Sequence, residues 1–254
     1  MSQYLSAFRI AAAGYLIIAT AILLDLKLKS GMFKEIAWAS LVSLAQLIGV
    51  AFVILVLLKL KLLYLDFALV LLFFLNGALI ARKRCPSAYR EKGVFLPIFA
   101  GMLCVSAFVL VAYYTAGIMR LEANSLIPLS GIVAAAGMRT LSLAFDQWEN
   151  ITKNQQDIIL GMLALGVSET RVFKYLVVEV IKHITKPIID TLRAAGIVHI
   201  PGVMVGLLMA GILPIRAAAV QFVVLASMIL IHMGVAGLTL FLIVKLHGLK
   251  LPVD

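Results

Sequence analysis

The chain has 254 residues, 63% hydrophobic and 13% charged, with a mean hydropathy of +1.11; soluble domains average about 45–50% apolar and about 25% charged. This excludes most soluble enzyme folds: at roughly 20 apolar residues per crossing, the length is filled by an all-α, polytopic membrane helix bundle of about seven transmembrane helices, a single domain over 1–254. The net charge of +10, from 22 Lys and Arg against 12 Asp and Glu, must then be read loop by loop.

Charge clusters cut the chain into apolar stretches at 8–24, 36–58, 62–81, 93–118, 126–145, 188–212 and 217–244. All seven read as helices, because runs such as Ile48 to Leu58 lack the alternation of a barrel strand. Lys27 and Lys29 follow the first stretch, and no small-x-small site comes after it, so it is expected to stay as a span and not to act as a signal peptide. Gln46 in the second span and Asn76 near the inner end of the third are polar groups at membrane depth, suited to interhelical hydrogen bonds or to a path. Asp66, near the outer end of the third, is expected to meet water. Cys85 and Cys104 cannot form a disulfide framework and read as a loop thiol and a packed span residue. In the fifth span, Pro128 and Gly131 suggest an interruption, and Arg139 requires a buried acid or an aqueous cavity.

The loops after the first, third and fifth spans and the C-terminal tail carry fifteen Lys and Arg, and the opposite side carries five. The bias places the N-terminus outside and the C-terminus in the cytoplasm, in the cell membrane, and nucleic acid is not needed to explain the basic balance. One connection is long: residues 146–186 hold ten charged residues and an amphipathic pattern. Val172, Phe173, Leu176, Val177, Val180, Ile181 and Ile184 recur at helical spacing, after a shorter helix that ends at Gly166, with Ser168 as N-cap. This cytoplasmic hairpin is either a helix pair on lipid headgroups or a docking element for a cytoplasmic protein, with Gly166, Ser168, Val172, Phe173 and Leu176 at its centre. Gly166, Leu176 and Val178 keep the spacing of the docking loop of ABC importers, whose upstream acid is replaced here by Leu160 and Gly161.

The run from Asp190 through Arg193, Gly196, His199, Pro201, Gly202, Met204 and Gly206 to Pro214 resembles the FetB-like family of ABC transporter permeases. Shorter matches in order are Gln46-Leu47-Ile48, Asn76 with Ala81-Arg82-Lys83-Arg84, Ile127-Pro128 with Met138, and Leu163-Ala164-Leu165-Gly166. The pattern departs from the family at Arg193, Val203, Ala136 and Gly161. The resemblance implies the membrane subunit of an exporter of iron or another metal ion, working as a homodimer with a separate ATPase.

The residues available for a path are Gln46, Asn76, Arg139, Asp190, Arg193, His199, Pro201, Gly202, Met204 and Gly206. Asp190 and Arg193, three apart, read as a local salt bridge that positions a helix. Pro201-Gly202 breaks the sixth span, either to expose backbone groups to a substrate or as a packing kink with Gly202-x-x-x-Gly206. His199, Met204 and Met209, faced by Met138, form a candidate metal set. There is no Gly-x-x-x-x-Gly-Lys-Ser/Thr loop in the chain, so ATP and magnesium are expected on a partner ATPase, with no cofactor on this chain. A stand-alone ion-driven carrier or channel is the alternative, and a nucleotide sugar or a lipid the alternative substrate.

Overall fold

The computed structural model describes residues 2–90 and 93–250, with side chains from Arg9 onward; Lys92, counted above among the loop cations, lies outside them. The described residues form α1 Ser2–Leu28, α2 Phe33–Leu60, α3 Leu63–Arg82, α4 Phe95–Thr115, α5 Ala123–Asn154, α6 Gln156–Ala164, α7 Glu169–Ala194, α8 Gly202–Met209 and α9 Pro214–His247. Among them there is no strand. Six helices, α1 to α5 and α9, are long and apolar enough to cross a membrane, and the chain is a multi-pass helical membrane protein.

The chain divides into two units at Lys61 and Leu62. In the first, α1 and α2 form a hairpin whose turn is organised by Asp25. Its carboxylate accepts the backbone N–H groups of Met32 and Phe33 at 3.2 and 2.9 Å and the Ser30 hydroxyl. These are donors that the start of α2 cannot satisfy internally, so an acid at the end of an apolar helix is explained by capping.

The second unit holds α3 to α9, packed through small residues. A Cβ on Gly101 of α4 would lie 3.1 Å from the Thr239 Cα of α9, and one on Gly77 of α3 would lie 2.8 Å from the Met102 Cε of α4. Such close approach replaces the hydrophobic drive that lipid does not supply. At one end Arg84 meets Asp146 at 3.0 Å, and Ser87 gives its N–H and hydroxyl to Glu149 at 2.8 and 2.9 Å. Tyr89 donates to the Gly248 carbonyl and accepts from the Lys250 N–H. Cys85 is buried here and its thiol is pushed up to about 12 by desolvation, so it stays protonated and unreactive.

The structure corrects four expectations. The stretch 188–212 is not one helix: it holds the last part of α7, a turn and the short α8. Cys104 is exposed on α4. Asp66, expected to meet water, is buried, with Oδ1 unpartnered. The fifth span is not interrupted, since α5 is continuous through Pro128 and Gly131.

The segment 146–186 also divides differently from the expected hairpin, because α5 continues to Asn154 and α7 runs on to Ala194. α7 lies along the bundle. Phe173 packs on Trp148 of α5 with ring centroids 6.1 Å apart, Glu169 and Phe173 share a pocket with Phe241 and Lys245 of α9, and Ile181 reaches Gly237 further up α9. Its apolar stripe is turned inward: Val172, Leu176 and Val180 are 0% exposed and Ile184 is 3% exposed.

Gly101→Leu should destabilise the protein by about 1–3 kcal/mol, the range for overpacking a tight contact. Gly161→Leu, where nothing lies within 4 Å, should not. Thermal unfolding in detergent reads the difference.

Candidate translocation site

The turn after α7 leads to α8 at the end of the unit opposite the Arg84–Asp146 pair. There Gly202, Val203 and Gly206 of α8 face Pro128, Leu129 and Ile132 of α5, Val220 of α9 and the α4–α5 connection. They line an open cavity of about 550 Å³, to which Arg120, Glu122, Asn124 and Ser125 supply the polar lining. The two Pro-containing segments singled out in the sequence thus meet. Pro128, lacking an N–H, leaves the Asn124 carbonyl without its usual helical donor, and Asn124 itself lines the cavity.

Pro201 is the N-cap of α8. The Met204 N–H, which a helix start leaves unpaired, donates to Gln221 Oε1 of α9 at 3.1 Å. Gln221 is buried and was missed in the sequence; the available signal was a polar side chain inside the apolar 217–244 stretch. At the far end of α8, the Gly211 and Ile212 N–H groups bond the Leu208 and Leu207 carbonyls, with Gly211 at φ +80°. No residue of α8 is fully buried, so this short helix is held mainly by its two ends.

The other candidates are placed as follows. Asp190 and Arg193 form their local salt bridge at 3.4 Å, both strongly exposed. Gln46 and Asn76 are exposed; Asn76 lies away from the α3 face formed by Phe74, Gly77 and Ala78. His199 is exposed in the turn before Pro201, and Met209 is 85% exposed. Met204 and Met209 are five residues apart on α8, about 140° around the helix, so the His199, Met204 and Met209 side chains do not converge. Met138, expected to face them, instead lies against Gly77 of α3. Among the described residues, no group of three or more His, Cys, Asp or Glu could hold a metal ion.

Further exposed charges lie along α7 and at one position of α5. On α7, Lys174, Lys182, His183, Lys186, Asp190 and Arg193 are exposed, and on α5 Arg139 is exposed. Pro187 inside α7 leaves the His183 carbonyl without its usual donor. Counting from the Trp148–Phe173 contact at 1.5 Å per residue, Arg139 lies about 13 Å and Lys186 about 20 Å into the bundle. His232 of the membrane-spanning α9 is within electrostatic reach of Arg139.

At the charged end, α6 closes with Gly166 at φ +82°, its N–H on the Leu163 carbonyl and the Val167 N–H on the Met162 carbonyl, an αL helix stop that favours glycine. Ser168 is the N-cap of α7 by position, without a side-chain cap bond, and its carbonyl accepts the Arg171 and Val172 N–H groups. Of the docking candidates, Val172 and Leu176 are buried and Phe173 packs on Trp148, so the apolar surface left open beside Gly166 is Ile158, Leu160 and Leu165, the last 87% exposed.

The family model described as Uncharacterised protein family (UPF0014) matches residues 8–248. The chain is 27% identical over 213 residues to the Probable iron export permease protein FetB of Escherichia coli (strain K12), covering 84% of this chain and 81% of that protein. It is 24% identical over 204 residues to the UPF0014 membrane protein YjkA of Bacillus subtilis (strain 168), 80% of each. It is 26% identical over 104 residues to the Protein ALUMINUM SENSITIVE 3 of Arabidopsis thaliana, 41% of this chain and 38% of that one. No solved structure matches the chain significantly.

Gln221→Leu removes the acceptor for the Met204 N–H, a loss of about 1 kcal/mol for one hydrogen bond. Amide exchange at 202–206 should rise about fivefold in nanodiscs while exchange in α5 stays unchanged. Unaltered exchange at 202–206 would show that Gln221 does not hold α8.

Proposed function

The chain belongs to the UPF0014 family, and from that premise we propose that it is the membrane-spanning permease subunit of an ABC transporter. It works as a homodimer with a separate cytoplasmic ATPase that binds ATP and magnesium. The N-terminus lies outside and the C-terminus in the cytoplasm, as the positive-charge bias favours. The observation that carries the reading is the continuity of α7. One 26-residue helix, about 39 Å long, joins the Gly166 turn at the charged end to α8 and the cavity at the other. A push on α6 can reach the cavity through a single rigid body.

ATPase docking is assigned to α6 and the Gly166 turn. Ile158 and Leu165, seven residues apart and so on one side of α6, offer an apolar patch there, and a partner's closure would rock α7 against α5 and α9. The polar face of α7 supports the dimer. A Lys or Arg at the centre of a lipid-facing helix costs roughly 2.5–3.5 kcal/mol by insertion scales, so charged residues at this depth face protein or water. Two copies, each turning this face to the other, would enclose an aqueous path that opens at the cavity beside α8. Iron export is named for the Escherichia coli relative; a metal is the substrate suggested by that likeness.

Leu165→Asp, or Gly166→Val with its left-handed backbone strained, should reduce ATPase copurification at least tenfold while membrane insertion is retained. Full copurification with both variants would remove α6 and its turn as the docking element. The second reading, an ion-driven carrier acting alone, is favoured by Asp66, a buried carboxyl with an unpartnered oxygen. Asp66→Asn should leave ATP-dependent transport intact; its abolition together with insensitivity to ATP would favour the carrier.

A further inference from the structure

The sign of the charge exposed on α7 and at Arg139 of the adjoining α5 has a consequence for what can cross. Between the charged end and the turn after α7, the polar side carries two acids, half-buried Glu179 and exposed Asp190, and each is paired with its own neighbour. Lys182 reaches Glu179 at 2.7 Å and Arg193 reaches Asp190 at 3.4 Å. Lys174 lies nearer the charged end; deeper in, Arg139 and Lys186 are left over: among the described residues neither has a carboxylate within 4 Å, although Lys186 is within electrostatic reach of Glu179. Both are exposed, on α5 and α7, which pack directly on one another. On the permease reading, each copy therefore presents two cations without an ion-pair partner near the middle of the membrane. Against them stands the His183 carbonyl freed by Pro187, a dipole that falls off faster with distance than two full charges.

We propose that Arg139 and Lys186 set the charge of the transported solute, so that the path admits small anions and rejects a bare divalent cation. The inference rests on the permease reading above, which supplies the path. A narrow channel with low-dielectric walls concentrates ions of the opposite sign and repels its own. No group of three metal-binding side chains among the described residues offsets that repulsion. A metal would cross only inside a complex of net negative charge.

The test is independent of the natural substrate. Cys104→Ser removes the exposed native thiol, and Cys85 can stay because it is buried and protonated. In that background, His183→Cys or Ala135→Cys places a thiol within one turn of Lys186 or Arg139. Full-length protein in nanodiscs is treated with a negatively charged sulfonatoethyl and a positively charged trimethylammonioethyl methanethiosulfonate, each rate normalised to a free thiol. The anion should react about tenfold faster than the cation at both positions. The ratio should fall to about one in Arg139→Gln with Lys186→Gln, and return in Arg139→Lys with Lys186→Arg.

A ratio at or below one in the parent would overturn the proposal. So would silence of both positions toward both reagents while Asn124→Cys, in the outer cavity, reacts, because the face would then be dry. ATPase association measured on the same preparations separates the two levels. A chain that binds the ATPase but prefers the cation retires the charge assignment alone. An anion-preferring face in a chain that binds no ATPase retires the ABC reading and leaves the charge assignment standing.

Discussion

Lipid cannot solvate one side of α7, and the rest of the unit is arranged around that constraint. Its apolar stripe, Val172, Leu176, Val180 and Ile184, is buried in the bundle, while Lys182, Lys186, Asp190 and Arg193 point away from it. A helix with this division can lie at a membrane surface, but here it runs beside α9, one of the most apolar long helices in the chain. If, as the permease reading requires, α7 crosses the membrane between the charged end and the cavity, its polar side meets water or protein at membrane depth. The dimer and the charge of the path descend from that requirement.

Rigid and mobile parts are separated by how tightly their backbones approach. α4 and α9 approach closely at Gly101 against Thr239 and at Gly234 against Val105. Ser130, Thr140 and Thr152 return their hydroxyls to carbonyls one turn back in α5, so that buried polar groups in this helix stay satisfied. α8 is the opposite case: no residue is fully buried, a Cβ on either of its glycines would meet nothing within 4 Å, and a hydrogen bond from the Met204 N–H to Gln221 ties its start to α9. Elements with so few contacts open at low free energy, and this one walls the cavity.

Much of the fold was legible because lipid demands long apolar runs, and α1 to α5 and α9 carry them without ambiguity. The sequence misled at α7. With charge clusters as loop markers, Lys182 and Lys186 followed by Pro187 set the start of a span at 188, whereas α7 continues through Pro187 to Ala194 and α8 begins only at Gly202. Amphipathic periodicity reports two unlike faces and does not say what covers either, so a surface helix and a pathway helix share one pattern. Proline was equally ambiguous. Pro201 marks a true break and caps α8, whereas Pro128 and Pro187 sit inside continuous helices and only free a carbonyl.

Within the site, the meeting of Pro128 with Gly202 and Gly206 followed from segments already suspect, but their partner Gln221 did not, since one amide in an apolar helix carries no spacing signal. The metal set failed for a geometric reason: residues five apart cannot share one helical face, and Met138 points at α3. The central claim is that α7 crosses the membrane, and one measurement decides it most directly. Single cysteines at Arg171 and Arg193 in the Cys104→Ser background are treated in intact cells with a membrane-impermeant maleimide. The cysteine at 193 should label from outside, and the one at 171 only after permeabilisation. Labelling of both from the cytoplasmic side alone would place α7 on the membrane surface and contradict the account.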